Sequence, residues 1–262
     1  WSFYGNLLIM LPMSIWAIER FFKERKIGWF IFAIAYTLFS NFYFSYYEAI
    51  VIGFYFIYRV VIPHETDIVN RWQKFYILVC ATLLSVLVSI YGLYTGVSSF
   101  LDNDRAQNPN FKITFFTNLF ETNYNIFADG FYITISFIAI IALFCFKLYQ
   151  HYYYKLFAIA TWILLIGSFF QWFDSAFNGF SLPQRRWVYF LALSTSVLIA
   201  LFIQHLSEIS IKEYTFVAIP VFIYGFVFIT LSERSVKWMF VALILIIVLF
   251  IFIKYKSLLT RT

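Results

Sequence analysis

The sequence predicts an all-α polytopic membrane protein, a helical bundle of about nine transmembrane helices, and three observations lead there. Of 262 residues, 63% are hydrophobic and only 12% charged, whereas soluble globular domains carry about 25% charged residues. Mean hydropathy is +0.81. The apolar residues also fall into runs of the length that a bilayer demands, roughly 17–25 residues per helix, with shorter runs where a helix breaks inside protein.

Nine such runs are legible: 3–18, 27–40, 42–62, 75–95, 130–147, 156–171, 187–204, 214–231 and 238–254. The second and third form one apolar block from Trp29 to Ile62, too long at about 1.5 Å per residue for one crossing. A turn at Ser40-Asn41 is expected to divide it. The 24% aromatic content reads as packing and interfacial belts. Cys80 and Cys145 lie inside apolar runs, so neither a disulfide nor a metal site is expected from them. The chain opens at Trp1 directly on an apolar run, without a charged n-region or cleavage site. The expectation is one transmembrane bundle over residues 1–262, the middle part of a longer protein.

Threading these spans across a bilayer gathers thirteen basic residues, from Arg20 to Arg261, on one side, and six on the other: Arg105, Lys112, Arg185, Arg186, Arg234 and Lys237. Basic loops stay cytoplasmic, so the loops 96–129, 172–186 and 232–237 are expected to face outward. The net charge of +6 and pI of 9.2 follow from orientation alone in this reading, and a nucleic-acid partner is excluded. No glycine-rich phosphate loop, CxxC pair, HExxH helix or long repeat occurs. His64, His151 and His205 fall in cytoplasmic loops at no ligand spacing and read as solvated.

Three constellations carry chemistry. Asn41, Ser45, Glu48, Ile52, Tyr55 and Arg59 recur at spacings of four and three and share one helix face. A carboxylate at the depth of Glu48 costs about 2.5 kcal/mol or more unless paired or hydrated. It is expected to face the bundle interior, either lining a wet cavity or making a structural hydrogen bond.

In the loop 96–129, Asp102, Asn103, Asp104 and Arg105 precede a stretch, Phe111 to Phe127, that suits a helix lying on the membrane surface. The two aspartates are metal ligands, a general base or simply solvated. The polar island from Trp172 to Trp187 is the strongest signal. Asn178-Gly179 marks a turn, Ser181 a cap and Pro183 the exit, and Trp187 is expected to anchor the next helix at headgroup level. Paired arginines, Arg185 and Arg186, beside a glycine suit an anion, because guanidinium forks match phosphate oxygens. With Arg105 they either converge on an interfacial phosphate or touch lipid headgroups without catalysis.

The string Asn178-Gly179-Phe180-Ser181-Leu182-Pro183-Gln184-Arg185-Arg186-Trp187 resembles the Asn-Gly-Phe-Ser-Tyr-Pro-x-Asn-Arg-Trp signature of the bacterial YfhO-like membrane proteins. Asn41-Phe42-Tyr43-Phe44-Ser45-Tyr46-Tyr47 is similar to that family's Asn-Phe-Tyr-Phe-x-Tyr stretch. The resemblance implies a GT-C type glycosyltransferase of the bacterial plasma membrane, with its site on the outer face. Such an enzyme moves a sugar from undecaprenyl phosphate to a cell-envelope polymer such as lipoteichoic or wall teichoic acid.

The substrate-binding residues are then Arg186, Arg185, Arg105, Asn178, Gly179, Asn41 and Glu48. Leu182 and Arg185 depart from the signature's Tyr and Asn. The family's catalytic acidic residue lies in its first outer loop, which this correspondence puts before Trp1. A divalent metal is compatible with the reading and required by nothing in it. Two rival readings are a lipid-carrier transporter or flippase, for which the Glu48 stripe speaks, and a polysaccharide polymerase or ligase.

Overall fold

The computed structural model of the chain describes residues 2–40, 42–102, 127, 135–180, 185–231 and 239–259. Its regular elements are helical, and they fall into two compact units, Trp1–Phe111 and Lys112–Thr262. Asn41 and Arg105 lie outside the described residues, as do Ser181, Pro183, the loop 232–237 and the stretch after Phe111 apart from Phe127.

The first unit contains α1 (Ser2–Glu24), α2 (Gly28–Ser40), α3 (Phe42–Val61), α4 (Arg71–Val88) and α5 (Ile90–Leu101). The break between α2 and α3 falls at the expected Ser40-Asn41 turn. The α2 helix packs against the other four, which its all-round apolarity permits.

The expected span 75–95 is instead divided at Ser89, where α4 ends and α5 begins. Ser85 Oγ donates to the Ala81 carbonyl and Ser89 Oγ to the Ser85 carbonyl, both at 2.8 Å. Such back-bonding bends helices. The bend brings Gly92 so close to α2 that a Cβ there would lie 2.8 Å from Phe39 Cα. Only the missing side chain permits this approach.

In α3 the expected stripe is a buried face: Ser45, Glu48, Ile52, Tyr55 and Arg59 are all buried. At its end stands a charge cluster. Arg59 is fully buried and pairs with Glu19 of α1 and with Asp67 of the α3–α4 loop, Nη2 lying 2.7 Å from Asp67 Oδ1. Lys74, also buried, pairs with Asp67. Tyr55 donates to Glu19 at 2.7 Å and the His64 amide to Asp67 at 3.0 Å.

The two acids face Arg59, Lys74 and, toward solvent, Lys23, which lies 3.2 Å from Glu19, and burying Arg59 and Lys74 is tolerable because each is paired and hydrogen-bonded. Orientation alone therefore does not explain Arg59 and Lys74, contrary to the sequence reading. Burial pushes the Asp67 carboxyl up, but Arg59 and then Lys74 more than offset this and hold it below the ordinary carboxylate value.

The second unit contains α6 (Phe137–Phe144), α7 (Tyr152–Gly167), α8 (Gln171–Phe177), α9 (Val188–Gln204), α10 (Ile211–Leu231) and α11 (Phe240–Leu259). The expected span 130–147 is realised in its described part as α6, eight residues long and so about 12 Å in length. Phe137, Ile138, Ala139, Ile141, Ala142 and Leu143 are all buried. The helix packs against α7, α9, α10 and α11, so its uniform apolarity reflects protein around most of its surface, with Phe144 exposed at its end.

Polar side chains tie these helices together, as membrane-embedded groups must find partners internally. Tyr154 OH donates to the Ala142 carbonyl at 2.6 Å and Tyr214 OH to the Ile246 carbonyl at 2.7 Å. Thr161 and Ser194 hydroxyls meet at 2.6 Å between α7 and α9. Gly225 lets α10 close on Phe137 and Leu243.

Among the described residues, four helices are long and apolar enough to cross a membrane: Tyr43–Val61, Arg71–Val88, Arg185–Gln204 and Ile211–Leu231. Three shorter apolar helices accompany them. The number of nine crossings stays an expectation of the sequence.

Candidate functional site

The polar island folds as a short helix, a capped turn and a helical entry. Phe170 opens α8 in extended backbone, and Asn178 caps its end. Gly179 follows at φ +63°, and the Phe180 amide returns to the Ser175 carbonyl at 2.8 Å. This six-residue closure with a left-handed residue after the cap is a Schellman motif. It explains the Asn-Gly pair as a helix stop, with glycine avoiding the cost of left-handed backbone. Phe180 is left-handed as well, at φ 58°, and exposed.

The centre of the island is Asp174, a residue that the sequence reading did not single out. It is buried. Its Oδ1 accepts the Trp187 indole N–H at 2.6 Å, and its Oδ2 lies 3.6 Å from Arg185 Nε. Arg185 also donates to the Ser168 carbonyl at 3.3 Å, tying the entry of α9 to the end of α7. Trp187 is fully buried, its ring against Phe173 and Phe177 at centroid distances of 5.0 and 5.8 Å.

This corrects the expected headgroup anchor: Trp187 is an interior strut, held where its one polar atom meets a carboxylate. Gly167 lies under the Phe173 ring, which a Cβ would approach to 2.7 Å. The signal for Asp174 was present in the string, as its single carboxylate.

One carboxylate thus fixes the residues on both sides of Arg186. Residues 185–187 form a single 3-10 turn, in which Arg186 is half-buried. Asn178 and Gly179 therefore end α8, and Arg185 and Arg186 form the turn that enters α9. Glu48 belongs to the other unit. It is 1% exposed, and Thr37 of α2 donates to its Oε2 at 3.3 Å, while Oε1 has no hydrogen-bond partner among the described residues.

Among the described residues of the island Asp174 is the one carboxylate, and with both oxygens engaged it is not assigned to a metal. A groove of about 460 Å³ in the second unit, lined by Phe144, Cys145, Lys147, Phe216 and Pro220 among others, borders Lys147 and Glu213 rather than the island.

Helices long and apolar enough for a bilayer, tied internally by hydroxyl-to-carbonyl bonds, define a multi-pass α-helical membrane protein. Sequence comparison makes this particular: the chain belongs to the family described as Bacterial membrane protein YfhO, matching it over residues 1–261. A Bacillus subtilis (strain 168) protein described as "Uncharacterized protein YfhO" is 30% identical over 213 residues, which cover 81% of this chain and 24% of that protein. The chain thus matches about a quarter of that relative's length. No solved structure matches.

Proposed function

We propose that the full-length protein is a GT-C type glycosyltransferase that moves a sugar from undecaprenyl phosphate to a cell-envelope polymer such as lipoteichoic acid. In this reading the α8–α9 connection holds the carrier phosphate at the outer face. The supporting observation is the Asp174 clamp, which bonds Trp187 and pairs with Arg185 and so fixes the backbone on both sides of Arg186.

Transfer from a polyprenyl phosphate needs little covalent chemistry from the protein. The leaving group is an anion, and catalysis comes from donors already aimed at it and from holding the two substrates in register. Arg186 is the donor to the phosphate. Arg185, committed to Asp174, is a positioning residue. Asn178 and Gly179 shape the turn that ends α8.

A charge-assisted hydrogen bond contributes about 1.5–3 kcal/mol. Arg186→Ala in the full-length protein is therefore expected to lower kcat/KM for teichoic-acid glycosylation by about 10–100-fold, with Arg186→Lys in between because it keeps charge without the fork. Unchanged glycosylation at normal expression would remove Arg186 from this role.

Glu48 favours a second reading, a transporter of the lipid carrier, because ionisable groups at membrane depth commonly mark transport paths. Movement of labelled carrier across liposomes without sugar transfer, abolished in Glu48→Gln, would establish it over the first.

A further inference from the structure

Antiparallel packing of α7 and α9 sets two polar clusters at opposite ends of the pair. Ser168 and Arg185 mark one end, and the Thr161–Ser194 contact lies midway. At the other end His151, directly before α7, meets His205, directly after α9. Their rings stack at 3.8 Å between centroids with planes 17° apart.

Glu208, in the turn leading to α10, bridges them. Its Oε2 lies 2.7 Å from His151 Nε2 and its Oε1 2.8 Å from His205 Nδ1. We propose that His151, His205 and Glu208 bind one divalent transition-metal ion of the zinc class.

Two imidazoles and a carboxylate suit such ions, with zinc–nitrogen and zinc–oxygen bonds of about 2.0–2.2 Å. Tetrahedral coordination at those lengths separates ligand atoms by about 3.3–3.5 Å. Here one nitrogen from each ring and a carboxylate oxygen all lie within 4.8 Å of one another, and taking up an ion requires the stacked rings to splay so that both in-plane lone pairs point at it.

Both facing nitrogens are hydrogen-bonded to the same carboxylate, and an ion bound there would displace the bridging protons, each ring then carrying its N–H on the nitrogen away from the metal. Outer contacts hold the carboxylate side: Gln150 Nε2 donates to Glu208 Oε2 at 3.2 Å and Lys147 Nζ to the Glu208 carbonyl at 2.7 Å. The three side chains are 31%, 20% and 34% exposed, which leaves water access to complete the coordination shell. The ion would staple the start of α7 to the end of α9, remote along those helices from Asp174 and independent of the glycosyltransferase reading.

The experiment is titration of the untagged, chelator-stripped full-length protein in detergent with Co²⁺, followed by absorbance, and Zn²⁺ competition by calorimetry. One saturable ion per chain is expected, with a raised melting temperature and a Kd increased more than tenfold in His205→Gln. If that variant does not fold, Glu208→Gln keeps a hydrogen-bond acceptor for the rings, removes the anionic ligand and is read the same way. Absence of saturable binding at micromolar ion, or equal affinity in wild type and variant, overturns the proposal.

Discussion

Asp174 joins two side chains at the entry to α9, Trp187 and Arg185, and replacing it separates stability from orientation. Asp174→Ala leaves the buried Trp187 N–H without an acceptor, and is expected to lower stability by about 1–3 kcal/mol, read as the detergent-solubilised protein's melting temperature. Asp174→Asn keeps an acceptor for Trp187 and loses the ion pair with Arg185, so its loss is expected to be smaller. A null effect of both would deny the clamp.

In the charge cluster Arg59→Ala leaves Asp67 to Lys74 and Glu19 to Lys23 and Tyr55, so its cost is expected to stay below the roughly 3–5 kcal/mol of a buried pair broken outright. Its pH dependence has a definite sign. Asp67 is held below the ordinary carboxylate value, so its stabilising contribution is full above about pH 4 and fades as pH falls through the depressed value. Melting temperature against pH should show this acid limb in wild type and a shallower one in Asp67→Asn.

The Arg pair was visible in the sequence because charge between apolar runs is conspicuous. Asp174 was not singled out, Lys74 was read as an orientation charge and Arg59 as an orientation charge at the end of the α3 stripe, because their partners lie 11 to 40 positions away or across a loop, and spacing within one helix carries no trace of them.

Helices α7, α9, α10 and α11 follow from apolar run length, and α2 and α3 from one apolar block divided at its turn signal, with ends within a few residues of expectation. Two elements do not. A hydrophobic stretch reads the same whether lipid or protein surrounds it, so α6 was indistinguishable from a crossing helix. The division at Ser89 depends on hydroxyls turning back onto carbonyls, a choice made by packing against Phe39.

The Thr161–Ser194 bond between α7 and α9 offers a measure of such ties. Thr161→Val is expected to cost about 0.6–1.7 kcal/mol in thermal melts. Histidines 151 and 205 lie 54 positions apart in the sequence, and only the antiparallel pairing of α7 with α9 makes them neighbours.

At the scale of the whole molecule, we propose that the island faces outward and the His151 end inward, the orientation expected from the distribution of basic residues. Single cysteines in a background with Cys80 and Cys145 replaced test this. Phe180→Cys is expected to react with an impermeant maleimide in intact cells, and Gln150→Cys only after permeabilisation. The reverse pattern would invert the topology and remove the outer-face reading.

The functional account rests on Arg186 recognising a phosphate carried by a polyprenyl chain, and binding tests that without requiring turnover. The full-length protein in nanodiscs is titrated with undecaprenyl phosphate and with undecaprenol, for wild type and Arg186→Ala. Preference for the phosphate in wild type, reduced about tenfold or more by the substitution, is the expected result. Equal affinity for phosphate and alcohol, or a preference untouched by Arg186→Ala, would contradict it.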